Sequence, residues 1–292
     1  MIVLLDLGNS AVKWAYTLDD GLVYGGRCPY EVSVIRDQLR ARLPLHHTTQ
    51  AVHVVGVCVA PREHRLCVEA GVQEALRGLA TAVRPQAGGP SLRTQRVEWI
   101  EPVREAYGVI NGYEAASQLG ADRWAALIAA RAVAPAGAIV LDVGSAVTVD
   151  LLDGAGQHHG GAIFPGVRAL QRGLGEAAVA LVQDRDVLQV GWEEVLPADN
   201  TVDAIAGGLC WGLAAAINEV TEQCIKGVRE GHAKSPPVFR YLATGGDLPA
   251  LRNHLQHAWE VRGGLVLEGV ARAAGVAPLR PADYHGQGRW LA

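Results

Sequence analysis

Two segments far apart in this chain share one pattern, and that pattern limits the available folds more than composition does. Ile2 to Tyr16 reads Ile-Val-Leu-Leu-Asp-Leu-Gly-Asn-Ser-Ala-Val-Lys-Trp-Ala-Tyr. The apolar run Ile2 to Leu5 suits a strand buried on both faces, Gly8-Asn9 tolerates the backbone of a tight turn, and Ser10 to Tyr16 returns as a second strand. Counting on from residue 6 to residue 142, 136 positions later, Ala138 to Leu152 repeats the arrangement, with Asp142 on Asp6, Gly144 on Gly8 and Ser145 on Asn9. A strand-turn-strand unit recurring half a chain apart predicts an internal duplication into two related α/β domains, placed at residues 1–115 and 116–292.

The chemistry of the turn narrows the reading. A buried strand that emerges at a carboxylate, followed by Gly, Asn and Ser, offers backbone N–H groups with no bulky side chain before them, a geometry able to cradle phosphate. Asp6 would then hold hydrated Mg²⁺ against phosphate oxygens, because Mg²⁺ keeps several waters and takes only one or two carboxylates. An ordinary hairpin explains one copy equally well, and the second copy is what favours two domains facing each other across a nucleotide cleft. The repeat resembles the actin, sugar kinase and heat-shock ATPase superfamily. The expected fold is therefore α/β, with two ribonuclease H-like domains of actin-like ATPase type.

At 292 residues and 49% hydrophobic, with mean hydropathy +0.12, the chain has material for two cores. Its formal net charge of −4 and pI near 6.2 give no basic field for nucleic acid or an acidic membrane surface. No positive leader opens the sequence and no uninterrupted apolar run reaches the ~18 residues of a membrane span, so a cytoplasmic protein is expected. The cysteines, Cys28, Cys58, Cys67, Cys210 and Cys224, are scattered without a Cys-x-x-Cys pair and read as small buried hydrophobes.

Between the hairpins, helices are expected over Tyr30–Leu43 and from Ala60-Pro61 to about Leu79, with strands at Leu22–Gly25, Gln50–Val59 and Ser91–Ile100, the last after the Gly88–Pro90 linker. Tyr107 to Leu119 reads as an irregular crossover. Gly120-Ala121-Asp122-Arg123 then opens an apolar helix to Val133, where Asp122 and Arg123 are either functional residues or a carboxylate favoured by the helix dipole beside a solvated arginine. After the second hairpin, a strand holds His158-His159-Gly160-Gly161. Neighbouring strand residues point to opposite faces, so these histidines read as surface residues rather than a metal pair, while the glycines suggest close backbone approach. Helices follow at Val167–Val182 and from Asn200-Thr201 to about Ile225, with Asn200 or Thr201 as N-cap. Pro237–Thr244 reads as a strand, Thr244-Gly245-Gly246-Asp247 as a glycine turn that suits the adenine side of a nucleotide or is simply a turn, and Leu265–Ala274 as the final helix. The helix after Val202 has too few polar positions for a solvated face, which predicts a homodimer.

In order, Asp6-x-Gly8-Asn9 to Lys13, Tyr113, Gly120-x-Asp122-Arg123, Asp142-x-Gly144, Gly160-Gly161 to Pro165-Gly166, Asn200-Thr201 and Gly245-Gly246 together resemble the type III pantothenate kinase family, which includes the Bvg accessory factor. The resemblance spans nearly the whole chain, and the Gly-x-Asp-Arg segment is its most specific part. It implies ATP-dependent phosphorylation of pantothenate to 4′-phosphopantothenate, the first step of coenzyme A synthesis, by a homodimer using Mg²⁺ and a monovalent cation, K⁺ or NH₄⁺. It further implies that Asp6, Leu7, Gly8, Asn9, Ser10, Ala11, Val12 and Lys13 form the ATP phosphate segment, with Asp6 on Mg²⁺, and that Ser145, where Thr is usual, also contacts ATP. Asp122 would be the base; Tyr113, Gly120, Ala121, Asp122, Arg123 and Thr201 would contact pantothenate; Asp142 would hold the monovalent cation. The alternatives are a regulatory protein acting through a protein partner, or another small-molecule kinase of the superfamily. The His46-His47 and Asp184–Asp199 segments match no motif.

Overall fold

The computed structural model describes residues 1–18, 21–44, 52–82, 96–178, 196–231 and 238–276. His46-His47, the Gly88–Pro90 linker and most of the Asp184–Asp199 segment lie outside them. The chain contacts form two compact units: the described parts of Met1–Tyr107, Glu114–Ala129 and Leu265–Gln287 make the first, and those of Gly108–Tyr113 and Ala130–Gly264 make the second. The division of the sequence at 115/116 remains a proposal about the duplication.

The first unit contains β1 (Ile2–Leu7), β2 (Val12–Leu18), β3 (Gly21–Cys28), α1 (Val32–Arg42), β4 (His53–Cys58), α2 (Arg62–Ala82), β5 (Glu98–Trp99) and the short β6 (Glu105–Ala106). Its five-stranded sheet runs β3-β2-β1-β4-β5, antiparallel across β1, β2 and β3 and parallel from β1 through β4 to β5. Of the expected Ser91–Ile100 strand, only Glu98–Trp99 is strand among the described residues.

The second unit repeats this plan after β7 (Val109–Ile110) and α3 (Ala121–Val133), whose first turns count with the first unit. Its elements are β8 (Gly137–Val143), β9 (Ala146–Asp153), β10 (His158–Pro165), α4 (Val167–Ala177), α5 (Thr201–Gly231), β11 (Arg240–Thr244) and β12 (Glu260–Val261). The sheet order β10-β9-β8-β11-β12 has the same antiparallel and parallel pairings, strand for strand. Two sheets with one topology make each unit a ribonuclease H-like domain and confirm the duplication read from the hairpins.

Strand alternation explains where the repeated carboxylates sit. In β1, Val3, Leu5 and Leu7 join a core with Ile35 and Leu39 of α1 and Val68 and Val72 of α2, while Leu4 and Asp6 occupy the other face. In β8, Ile139, Leu141 and Val143 join Cys210, Leu213 and Ile217 of α5, while Val140 and Asp142 occupy the other face. Each aspartate therefore ends a buried strand on the side away from that cluster. The last helix, α6 (Leu265–Ala273), packs on β1 and β4, and it crosses α3 so closely that a Cβ at Gly269 would lie 1.8 Å from the Ala125 carbonyl.

Within α5, an 18-residue window of Thr201–Val228 reaches a mean hydropathy of 1.2, and the helix is long and apolar enough to cross a membrane by length and composition alone. The expectation concerned uninterrupted apolar runs, and Asp203, Asn218 and Glu219 interrupt this one; a core helix passes the same test of length and composition. One side of α5 fills the core of the second unit.

Candidate active site

At the first turn, Asp6 is 5% exposed and pairs in register with Lys13, whose Nζ lies 3.6 Å from its Oδ2. The carboxylate is thus not the exposed group that a strand end suggested. The Gly8 N–H donates to the Ala11 carbonyl at 3.3 Å to close the turn, and Asn9 and Ser10 are exposed. Leu7 and Val12 are core residues, leaving only their backbone available to a ligand. Gly8 is not explained by packing: a Cβ there would meet nothing closer than 3.8 Å, and its φ is not positive. What the glycine provides is a bare turn, the property a close-lying phosphate requires.

The second turn is held differently. Gly144 also has room for a Cβ, with 3.7 Å to the nearest atom, and its N–H donates to the Ala146 carbonyl at 3.0 Å. Opposite Asp142 in the ladder stands the neutral Thr148. Two backbone segments press on this turn from outside. A Cβ at Gly166 would lie 2.2 Å from the Gly144 carbonyl, and one at Gly245, whose φ is +105°, would lie 2.1 Å from the Val143 carbonyl. The N–H groups of Gly166 and Asp247 donate to the Ser145 and Val143 carbonyls at 3.2 and 3.0 Å. Ser145 itself is exposed.

At the start of α3, a Cβ on Gly120 would come within 2.6 Å of Asp122 Oδ1, so glycine is what leaves that carboxylate its position. The same oxygen accepts the Arg123 N–H at 2.7 Å. Arg123 is only 7% exposed, unlike the solvated arginine of the helix-dipole alternative, and Ala121 is buried too.

Tyr113 follows the fully buried Asn111, whose Oδ1 accepts the Tyr113 N–H at 3.0 Å, and its ring stacks on His158 with centroids 5.9 Å apart. His158 is fully buried and its Nε2 lies 2.8 Å from Asp150 Oδ1. The expected surface position is therefore corrected for His158: alternation puts it on the inward face and His159 on the outward one, and Asp150 pairs with its Nε2 inside while Nδ1 is buried without a hydrogen-bond partner among the described residues. His159 is partly exposed and pairs with Asp153 at 2.7 Å. Thr201 is exposed at the first position of α5. Asn200, rather than Thr201, caps that helix, its Oδ1 accepting the Asp203 N–H at 3.0 Å, so the Thr201 hydroxyl is not engaged in that cap.

The first unit therefore carries Asp6 to Lys13 and Gly120 to Arg123, and the second carries Tyr113, Asp142, Ser145 and Thr201. Among the described residues no group of three His, Cys, Asp or Glu side chains is placed to hold a metal. A divalent ion at Asp6 would take most of its ligands from water and phosphate, which suits Mg²⁺. Two contacts beside these segments had little or no signal in the sequence. The His158–Asp150 pair had only a His-His dipeptide as its signal. Tyr30, whose hydroxyl donates to the Gly8 carbonyl and lies 3.3 Å from the Ala11 carbonyl, had no local signal at all.

The family model for type III pantothenate kinase matches residues 2–223. A type III pantothenate kinase of Halorhodospira halophila is 39% identical over 272 residues, covering 92% of this chain and 96% of that protein. One from Aromatoleum aromaticum is 33% identical, covering 94% and 98%. Among solved structures, a protein of Campylobacter jejuni described as a Baf family transcriptional activator is 21% identical, covers 94% of this chain and 98% of its own, and superposes with a TM-score of 0.50, a likeness of fold.

Proposed function

Since the chain belongs to the type III pantothenate kinase family, we propose that it transfers the γ-phosphoryl group of ATP to the primary hydroxyl of pantothenate, giving 4′-phosphopantothenate, the first step of coenzyme A synthesis. The observation that carries this reading is the start of α3, where Gly120 is shaped around the Asp122 carboxylate. Asp122 takes the proton of the attacking hydroxyl. The buried guanidinium of Arg123 offers the pantothenate carboxylate a charge partner, with Tyr113, Gly120, Ala121 and Thr201 completing the acceptor site. Phosphoryl transfer otherwise needs positioning and neutralisation of charge, which fits the division of labour between the turns.

The Asp6 to Lys13 turn receives the ATP phosphates through its backbone N–H groups and Lys13, and the exposed Ser145 hydroxyl adds a contact. Asp6 is a hard oxygen donor suited to Mg²⁺, which supplies further neutralisation of the phosphate oxygens. Asp142, with neutral Thr148 opposite, suits K⁺ or NH₄⁺. The enzyme works in the cytoplasm as a homodimer, without nucleic acid or membrane as partner. The exposed side of α5 supports the dimer: Ala204, Gly208, Trp211, Gly212 and Ala215 form a small-residue stripe around a tryptophan that is 42% exposed.

The test is ATP consumption with and without pantothenate, in Mg²⁺ with K⁺ or NH₄⁺, for the parent and Asp122→Asn. Pantothenate-dependent turnover is expected in the parent, and a loss of about 10²–10⁴-fold in kcat with little change in pantothenate binding in the variant. A parent without pantothenate-dependent turnover would overturn the reading; a variant within a few-fold of the parent would return Asp122 to a helix-dipole role.

A further inference from the structure

Tyr30 lies just before α1, 22 residues from Gly8 in sequence and outside every motif singled out above, yet it reaches the first turn. Its hydroxyl donates to the Gly8 carbonyl and is shared with the Ala11 carbonyl at 3.3 Å. These are the two residues that close the turn on each other through the Gly8 N–H. The tyrosine ring stacks face to face on His64, near the start of α2, with centroids 4.0 Å apart and planes 8° from parallel. The phenol is thereby held between a helix and the turn. Burial, reinforced by the charge of Asp6, pushes its pKa up, so the proton it donates stays in place.

A turn presents N–H groups to an anion only while its carbonyls point elsewhere, and a carbonyl swung toward a phosphate repels it. We propose that Tyr30 is a positioning residue for the ATP phosphates: by tethering the Gly8 and Ala11 carbonyls behind the turn, it keeps the N–H groups around Asn9 and Ser10 directed at the ligand. This rests on the reading of the Asp6 to Lys13 turn as the phosphate segment. The tether is a single hydroxyl on a ring that has its own packing against His64, which makes it separable from the fold. Tyr30→Phe keeps the ring and the stack and removes only the donor.

The experiment measures steady-state kinetics of the full chain for Tyr30→Phe, with Asp6→Asn beside it. The expected result is a rise in KM for ATP of about five- to tenfold, the scale of one lost hydrogen bond, with KM for pantothenate and the thermal midpoint near the parent's. Tyr30→Leu, which also loses the stack, should lower the midpoint in addition, separating ring from hydroxyl. A Tyr30→Phe enzyme with KM for ATP within twofold of the parent overturns the tether, and so does one whose kcat and midpoint fall together while both KM values hold. If Asp6→Asn loses ATP use in those same assays, the phosphate reading stands and only the tether fails. If Asp6→Asn also keeps parental ATP kinetics, the turn is not the phosphate segment.

Discussion

At the first turn the carboxylate of Asp6 faces a lysine across the ladder, four residues, Gly8 to Ala11, make the loop, and a tyrosine hydroxyl holds it from behind. At the second, Asp142 faces a threonine, the loop is one residue shorter, Gly144 to Ala146, and two glycine backbones hold it by direct contact. Both turns keep a glycine that the fold does not need, Gly8 and Gly144, at the matching place. Duplication thus preserved the bare turn and changed the charge around it. On the proposed reading, the carboxylate and lysine of the first turn, with N–H groups in front, take the ATP phosphates and their divalent ion. Opposite Asp142 stands a neutral hydroxyl, and on the proposed reading this is the carboxylate that takes the monovalent cation.

The largest expected effect tests that division of charge. Asp6→Asn should lower kcat/KM for ATP by about 10²-fold or more at any K⁺ concentration, as expected for losing the carboxylate that holds Mg²⁺ against the phosphates. Asp142→Asn should instead raise the K⁺ or NH₄⁺ concentration needed for half-maximal rate by roughly tenfold, the scale of one charged ligand, and excess cation should recover part of the rate. Asp6 is buried, but Lys13 is partly exposed and can rehydrate, so the Asp6 variant should still fold. Identical salt responses of the two variants would erase the distinction between the turns.

The glycines provide the next contrast, in stability. Gly166→Ala and Gly245→Ala each drive a methyl to about van der Waals overlap with a carbonyl, and the second also strains a positive φ, so each should cost about 2–4 kcal/mol in denaturant unfolding. Gly8→Ala and Gly144→Ala bring a methyl only to ordinary van der Waals contact and should change stability by less than about 0.5 kcal/mol while weakening ATP use. A Gly8 variant that unfolds as readily as the Gly245 variant would show that its turn is bare for packing rather than for a ligand.

The duplication was legible because a buried parallel-sheet strand needs an unbroken apolar run, and Ile2–Leu5 and Ile139–Leu141 have one. The Gly120-Asp122 relation was legible as a motif, though its reason, the 2.6 Å approach, is a distance that only coordinates give. What failed were long-range relations. His158 read as a surface residue because a local pattern cannot tell which of two neighbouring histidines faces inward, nor see the carboxylate of Asp150 one strand away. Two-residue strands such as β12 carry too little pattern to stand out, and Tyr30 meets Gly8 only because β3 brings the chain back past the first turn.

Acid provides the smallest and last test of the comparison, because the return strands after the two turns differ in their carboxylates. In the second hairpin β9 ends in Asp153, whose Oδ1 accepts the N–H groups of Ala155 and Gln157, both at 2.9 Å, while its Oδ2 meets His159 at 2.7 Å. Burial pushes this carboxyl up, but the His159 bond and the two backbone donors together bring it below the usual Asp range. Glu260 of β12 is likewise held down against its burial by Arg240 and Arg262. In the first unit the lowered carboxyl is Asp37, fully exposed beside Arg36, where solvent screens the pairing. A carboxylate with a depressed folded pKa stabilises the native state above its unfolded pKa, near 4, and that stability is lost as pH falls through the folded value. Hydrogen exchange between about pH 5 and pH 3 should therefore show amides of β9 and β10 losing protection before those of β1 and β2. Asp153→Asn should cost about 1 kcal/mol at neutral pH and flatten the acid response of the second hairpin, since the amide keeps an oxygen for the turn but has no charge to lose. If β1 and β2 open first, or if Asp153→Asn leaves the order and slope unchanged, acid stability does not follow the carboxylates of the second hairpin.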